Sequence, residues 1–278
     1  VLVNPGSLGN SVLFLTGKIF GIKVIGIGHA EEITIPLYGK GIKNWFKRSL
    51  MQRAYKRASG FVVVCHFCRR LLISMNVDET FIDVIPSCLN PEKIGTTQSV
   101  GINNHRIASV GRLIERKGFH FLIDAVLRLK EEMPDMRLDI VGDGPFKRSL
   151  EDKISLTNSS SFIKLHGQIS DVKLNEVYQN SSLFVLANTM LEDGNTEGCP
   201  SVFSEAMGHG LPLIGGLGAG VDTAITHGEN GYLVDSQNID KLSDSIRKIL
   251  TNPNISKSMV EFGRKKLETD HNPEKAGL

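Results

Sequence analysis

Apolar positions along the chain fall into two alternating patterns. Short runs such as "KVIGIGHA", "FVVVC" and "FIDVIPS" are almost continuously apolar, as strands buried on both faces of a parallel sheet are. Between them lie stretches with helical spacing. "NSVLFLTGKIFG" stops at Gly21, and "RRLLISMN" follows the second strand. "KNWFKRSLMQRAYKRASG" sets Trp45, Phe46, Leu50, Ala54 and Tyr55 against Lys43, Lys47, Arg48, Arg53, Lys56 and Arg57. Strand and helix patterns therefore alternate through the first hundred residues, which predicts a parallel sheet.

"NPEKIGTTQSVGINNH" breaks the pattern, being polar and rich in Gly, Asn and Thr. A linker is expected there, with a boundary near residue 100. The alternation then resumes. "RIASVG", "MRLDIVG", "SFIKLHG", "SLFVLAN", "PLIGG" and "NGYLVD" read as strands. "FHFLIDAVLRLKEEMP", "PFKRSLEDKISLT", "SDVKLNEVYQN" and "PSVFSEAMGHG" read as helices, followed by two closing helices from Asn238 and Ile255. Pro145 and Pro200 open helices, Ser170 or Asp171 caps one, and Gly208 or Gly210 stops another. The expected class is α/β with two Rossmann-like domains, 1–100 and 101–278. Ligands in such sheets bind beyond the carboxyl ends of the strands.

Composition agrees with that class. The 278 residues include 28 glycines for tight strand-to-helix turns, with only 6% aromatics. The net charge of +2 conceals an asymmetry, since residues 1–100 hold 12 Lys or Arg against 6 Asp or Glu. That basic excess suits an anionic membrane or an acidic substrate, and equally a solvated helix face. Nothing in the sequence points to a nucleic-acid partner. Four cysteines in a chain of this length make no disulfide framework, and Cys65–Cys68 reads as two reduced thiols in a strand-to-helix turn. The apolar stretch from Ser11 to Gly28 is interrupted by Lys18 and Lys23, so no spanning helix or signal peptide is read, and a cytoplasmic location is expected.

Three loops of the second half carry candidate chemistry. In "SVGRLIERKG" a strand ends at Gly111, and Arg112 and Lys117 stand around a turn closed by Gly118. Two such cations suit a diphosphate, and equally a solvated surface turn. "VGDGP" allows close backbone approach at Gly142 and Gly144, as many such turns do. In "EDGNTEGCPSVFSEAMGHG", Glu197 precedes a helix start and Glu205 lies eight residues on. Residues 198–201 span the helix start, where backbone N–H groups lack intrahelical partners, so two acids flank an amide-lined turn able to hold vicinal hydroxyls. A capping acid beside an exposed helix Glu fits the same residues.

Together, "GRLIERKG", "EGCPSVFSE" and "EAMGHGLPLIGG" resemble the retaining glycosyltransferases of family 4, the glycosyl transferases group 1, and the resemblance runs from Val1 to about Asp270. It implies the GT-B architecture, two Rossmann-like domains facing across a cleft, with an acceptor-side first domain and a nucleotide-sugar-binding second domain. By that resemblance Gly111, Arg112 and Lys117 meet the donor diphosphate and Glu205 holds the ribose. Glu197 contacts the transferred sugar beside Gly198, Cys199, Pro200 and Ser201, Gly167 and Gln168 meet the nucleobase, and His29 of "VIGIGHAEE" is presented to the sugar. Departures are also visible. The family's earlier strands and glycine loop have no counterpart, so the first domain is expected to be incomplete, truncated at its start. "GVDTAI" replaces Gly-Val-Pro-Glu, with Asp222 and Thr223 substituting, and "PSCLN" replaces Pro-Asn-Gly.

The implied activity is retaining transfer of a sugar from a nucleotide diphosphate to a glycan or lipid-linked acceptor, in surface polysaccharide biosynthesis. The catalytic set is His29, Arg112, Lys117 and Glu197. Asp-x-Asp is absent and the histidines lack metal-ligand spacing, so no metal or cofactor is expected. The helix Lys43–Arg57 resembles a membrane-facing element, implying peripheral contact with the inner face of the plasma membrane. A nucleotide-sugar-binding module without turnover, or a phosphorylase or epimerase of the same architecture, remains open. "VGDGPF" has the wrong spacing for a nicotinamide dehydrogenase.

Overall fold

The computed structural model describes residues 1–86, 104–218 and 220–270. The chain forms two compact units. One gathers Val1–Ser87, Met190–Cys199 and Gly218–Thr223, and the other gathers Cys88–Thr189, Pro200–Leu217 and Ala224–Leu278. The expected linker lies outside the described residues almost entirely, as do Cys88 and the "CLN" of the departing "PSCLN".

The first unit contains β1 (Leu2–Val3), α1 (Leu8–Gly17), β2 (Ile25–Gly28), α2 (Glu31–Tyr38), α3 (Ile42–Tyr55), β3 (Gly60–Val63), α4 (His66–Ser74) and β4 (Ile82–Val84). Its four strands are parallel in the order β1-β2-β3-β4. Glycine at 26 leaves room on the strand face for the rings of Phe61 from β3 and Phe14 from α1, which an added Cβ would meet. Phe14, Tyr55 and Phe61 form an aromatic cluster with centroids 5.1–5.8 Å apart. The Tyr55 hydroxyl donates to the Pro5 carbonyl at 2.8 Å, which satisfies the one polar atom this cluster buries.

Two features of this unit differ from expectation. Helix α2 carries Pro36 within it, and that residue hid the helix from a periodicity reading. Along α3 the apolar face is split. Met51, Ala54 and Tyr55 are buried, whereas Ile42, Trp45 and Phe46 near its start are exposed.

The second unit contains β5 (Arg106–Val110), α5 (Phe119–Leu129), β6 (Arg137–Val141), α6 (Lys147–Leu156), β7 (Ile163–Leu165), α7 (Asp171–Gln179), β8 (Leu183–Leu186), α8 (Ser201–Gly208), β9 (Leu213–Gly216), β10 (Gly231–Val234), α9 (Ile239–Leu250) and α10 (Pro253–Asp270). The six strands are parallel in the order β10-β9-β8-β5-β6-β7. Every residue of β8 and β9 is buried, which explains their unbroken apolar sequence. Side-chain caps start α7 and α9. Ser170 Oγ accepts from Lys173 N, and Asn238 Oδ1 accepts from Lys241 N at 3.1 Å. Pro200 is itself the capping position of α8, and α6 begins two residues after Pro145.

Chain order reverses in this sheet between β5 and β8. From β5 the strands proceed outward to β6 and β7, and from β8 they proceed the other way to β9 and β10. The connections following β5 and β8 therefore lead in opposite directions along the sheet, the topological switch point at whose carboxyl edge sheets of this kind have their ligand-binding crevice. The α/β class with two Rossmann-like parallel sheets is what the alternation predicts. Among the described residues no helix is long and apolar enough to cross a membrane.

Candidate functional site

The turn after β5 is built around glycine. Gly111 directly follows the strand, Arg112 is exposed, and a 3₁₀ turn over Glu115–Lys117 leads into Gly118. Gly118 is left-handed (φ 66°), and a Cβ there would overlap the Ala187 carbonyl oxygen just past β8. Thr189 N also donates to Arg116 O at 2.8 Å, so the two turns flanking the crevice are tied together. Lys117 is buried, and its stem runs beside Gly111. The site thus has one exposed cation able to fork across oxygens and one held against the strand end.

The neighbouring turns brace this one. Added Cβ atoms at Gly142 and Gly144 would overlap the Gly111 and Leu113 carbonyl oxygens. Both glycines therefore serve close approach of the β5 turn rather than of a ligand. Gly142 N donates to Gly167 O at 3.0 Å, which links the turn after β6 to the one after β7. Gly167 is buried and Gln168 exposed. His166, just before them, has Nε2 2.6 Å from Asp139 Oδ1, and Arg106 Nε donates to the other oxygen of that buried carboxylate at 2.7 Å.

Helix α8 starts at Ser201, directly after the long turn from β8, and so points its amino terminus at the same carboxyl edge. Ser201 is exposed, and Glu205 one turn on is half-buried. The Glu205 carboxylate accepts from Tyr178 Oη at 3.3 Å and from Ser201 Oγ at 3.5 Å. Burial, and then the charge of Glu205, hold the Tyr178 hydroxyl well above the ordinary phenol value. Tyr178 was not visible as a site residue in the sequence, because nothing in its local pattern distinguishes it from a core aromatic.

The remaining predicted residues lie in the first unit. His29 follows β2 with its side chain 62% exposed and Nδ1 3.5 Å from Glu32 Oε1. The His29 amide donates to Glu32 Oε2 at 3.0 Å, and Asn4 Nδ2 donates to Oε1 at 3.1 Å. Glu32 is thus a residue that sequence reading missed, although its spacing of three from His29 at a helix start was a usable signal. Ala30 between them has φ 120°, a backbone state rare for a residue with a Cβ. Glu197, Gly198 and Cys199 cluster with this unit. Glu197 is buried at 8% exposure, a Cβ at Gly198 would overlap the His29 carbonyl oxygen, and Gly220 N donates to Glu197 O at 3.2 Å. His29 and the Glu197 turn are therefore neighbours within one unit. Arg112, Lys117, Gly167, Gln168, Pro200, Ser201 and Glu205 belong to the other, and the chain passes between the two at Cys199–Pro200.

Cys65 and Cys68 sit at the start of α4 with sulfurs 3.1 Å apart, both buried. The hydrogen bond between the two sulfurs holds the Cys65 thiol below its ordinary value and, with burial, raises that of Cys68. Among the described residues no group of three or more His, Cys, Asp or Glu side chains is placed to hold a metal ion.

Comparison with known proteins places this geometry. A model of the family "Glycosyl transferases group 1" matches residues 98–266, a span that takes in every turn at the carboxyl edge of the six-stranded sheet. An uncharacterized glycosyltransferase of Haemophilus influenzae is 30% identical over 164 residues, covering 59% of this chain and 44% of that protein. The putative colanic acid biosynthesis glycosyltransferase WcaL of Escherichia coli is 29% identical over 168 residues, covering 60% and 41%. This chain accordingly spans less than half the length of either relative. In structure it is similar to Anabaena Alr3699/HepE, solved in complex with UDP, with a TM-score of 0.79 at 18% identity over 96% of this chain and 73% of that one. That likeness bears out the fold class read from the sequence. With more than half of its residues matched, including both turns that flank the crevice, the chain belongs to the glycosyl transferases group 1 family.

Proposed function

We propose that this chain is the donor-binding part, with a portion of the acceptor side, of a retaining glycosyltransferase that uses a nucleotide-diphosphate sugar. The observation carrying the reading is the crevice between β5 and β8. There the turn bearing Arg112 and Lys117 is tied to the turn that runs on to α8 and Glu205, all within the family-matched segment. A nucleotide-diphosphate sugar bound there has its diphosphate beside two cations and a helix amino terminus, and its nucleoside beside Glu205.

In the proposed mechanism Arg112 and Lys117 stabilise the departing diphosphate, supplying in side-chain charge what a divalent ion supplies elsewhere. The acceptor hydroxyl attacks the anomeric carbon from the leaving-group side and passes its proton to a phosphate oxygen. The C–O bond to phosphate breaks as the new C–O bond forms, so configuration is retained with no covalent enzyme intermediate. Glu205 anchors the ribose, Gly167 and Gln168 meet the base, and Glu197, with Gly198 to Ser201, and His29 orient the sugar. The relative named for colanic acid biosynthesis supports assigning the acceptor to surface polysaccharide assembly. Helix α3 carries Lys43, Lys47, Arg48 and Arg53 with no acidic residue, and exposes Ile42, Trp45 and Phe46. That combination supports a peripheral contact with anionic lipid. Sedimentation with anionic vesicles tests it: salt-sensitive binding that Trp45→Ala with Phe46→Ala weakens is expected, and no binding at low salt rejects it.

The function is tested by thermal stabilisation with UDP-, GDP- and ADP-sugars, followed by transfer assays with the best of them. Arg112→Ala and Lys117→Ala are each expected to lower turnover at least about tenfold, since a charge-assisted contact is worth roughly 1.5–3 kcal/mol. Near wild-type turnover in both variants rejects the assignment. Donor binding with neither transfer nor hydrolysis identifies a binding module instead, and sugar phosphate formed on adding phosphate identifies a phosphorylase.

A further inference from the structure

Helix α7 contributes no residue to the turns described above, yet its last turn reaches Glu205. The Tyr178 ring is 1% exposed, stacked on His209 (centroids 4.8 Å apart, planes at 26°) and packed against Phe184 of β8 at 6.0 Å. His209 is itself held, with Nδ1 2.9 Å from the Glu205 carbonyl oxygen. The ring is therefore fixed from two sides, and its hydroxyl donates to Glu205 Oε2 at 3.3 Å. A glutamate has three side-chain torsions, and at this half-buried helix position the contact from a fixed hydroxyl restricts them. The second oxygen, Oε1, has the longer contact, with the exposed Ser201 hydroxyl at 3.5 Å. Because the phenol stays protonated far above neutral pH, it remains a donor under working conditions.

We propose that Tyr178 is a positioning residue for the donor site: it holds Oε2 of Glu205 so that Oε1 is presented, already oriented, to the ribose hydroxyls of a nucleoside diphosphate. The inference rests on the reading of Glu205 as the ribose acid. Its physical content is preorganisation, since a carboxylate already held in place loses less freedom when the guest binds. The weak Ser201 contact is the one a ribose hydroxyl replaces.

The test is calorimetric titration with whichever of UDP, GDP and ADP stabilises the wild type most, and with its 2′,3′-dideoxy analogue. Wild type is expected to prefer the ribose form. Tyr178→Phe keeps the ring on His209 and is expected to bind the ribose form at least about fivefold more weakly, as loss of one hydrogen bond to a charged group implies. Its affinity for the dideoxy form is expected to be unchanged. In Glu205→Gln the preference disappears, and adding Tyr178→Phe to it costs nothing further. Glu205→Asp keeps the charge but withdraws it from the Tyr178 hydroxyl, and is expected to lose the preference as well. Equal weakening of both nucleotides by Tyr178→Phe, full additivity in the double variant, or a preference retained in Glu205→Asp overturns the inference. A wild type that binds both nucleotides alike overturns the ribose role of Glu205 itself, which separates that failure from this one.

Discussion

Gly118 joins the strand end at Gly111 to α5, and its replacement by alanine gives a sharp test of how the cation-bearing turn is built. Two separate costs arise there. The first is conformational: φ is 66°, and an L residue held in the left-handed region loses about 1 kcal/mol relative to glycine. The second is steric. The new methyl would overlap the Ala187 carbonyl oxygen, which lies past the end of β8 in backbone that cannot swing aside like a flexible side chain. Forcing such a contact apart costs roughly 1–3 kcal/mol more. Gly228 separates the two costs, because its φ of 86° is also left-handed while an added Cβ meets nothing within 4 Å. Gly228→Ala should therefore lose only about 1 kcal/mol, and Gly118→Ala roughly 2–4 kcal/mol. At about 2–4 °C per kcal/mol for a unit of this size, calorimetry resolves the difference. Because Thr189 N and Arg116 O tie the two turns, Gly118→Ala should also speed hydrogen exchange at the Thr189 amide and weaken binding of the proposed nucleoside-diphosphate ligand. Equal melting shifts in the two variants, with exchange at Thr189 unchanged, would refute the claim that backbone contact between these turns holds the site.

Three further outcomes follow from the packing. Tyr55→Phe removes the donor to the buried Pro5 carbonyl and should cost about 1–3 kcal/mol of the first unit's stability, read by urea unfolding; no loss would mean that the hydroxyl bond is incidental. Burial, reinforced by Lys153 and opposed by Asp124 and Glu115, lowers the His120 pKa below its ordinary 6.5. The unfolded chain therefore takes up that proton first, so the contribution is present above about pH 6.5 and lost as pH falls through the folded value. His120→Phe, beside Phe121 and Phe146, should flatten the fall in melting temperature between about pH 7.5 and 5, and an unchanged slope would reject the assignment. Asn238→Ala removes the cap of α9 and should cost about 1 kcal/mol by calorimetry, whereas a cost near zero would show that the cap is dispensable.

The order of strands and helices was legible because a parallel sheet writes itself into sequence twice. Its strands are apolar on both faces, and the helices covering them are apolar on one. Leu183–Leu186 and Ile239–Leu250 are direct cases of the two patterns. Helix α2 escaped for a local reason, the proline within it. The split face of α3 escaped for a different one. Periodicity reports which side chains share a face, but not whether another element covers that face along its whole length.

The proposed site residues were legible to the degree that their chemistry is local. Arg112, Lys117, Glu197 and Glu205 stand out because each is a charged residue close in sequence to glycine or proline at a strand end or helix start, a combination that a short window shows. Glu32 and Tyr178 acquire meaning only through partners, three residues away in one case and 27 in the other. The motif "EGCPSVFSE" shows the limit most clearly. In sequence it is a single stretch, and its two acids look like a pair. In space the contacts of Gly198 with His29 and of Gly220 with the Glu197 carbonyl draw its first part into one unit, while Pro200 starts a helix of the other. Those contacts span 169 and 23 residues, and no window along the chain contains them. Glu197 and Glu205 are consequently set by different cores, one by the β2 turn and the other by α7. A substitution in either core, such as one at Glu32 or at Tyr178, should therefore disturb one acid without disturbing the other, which a motif read as one object would not lead one to expect.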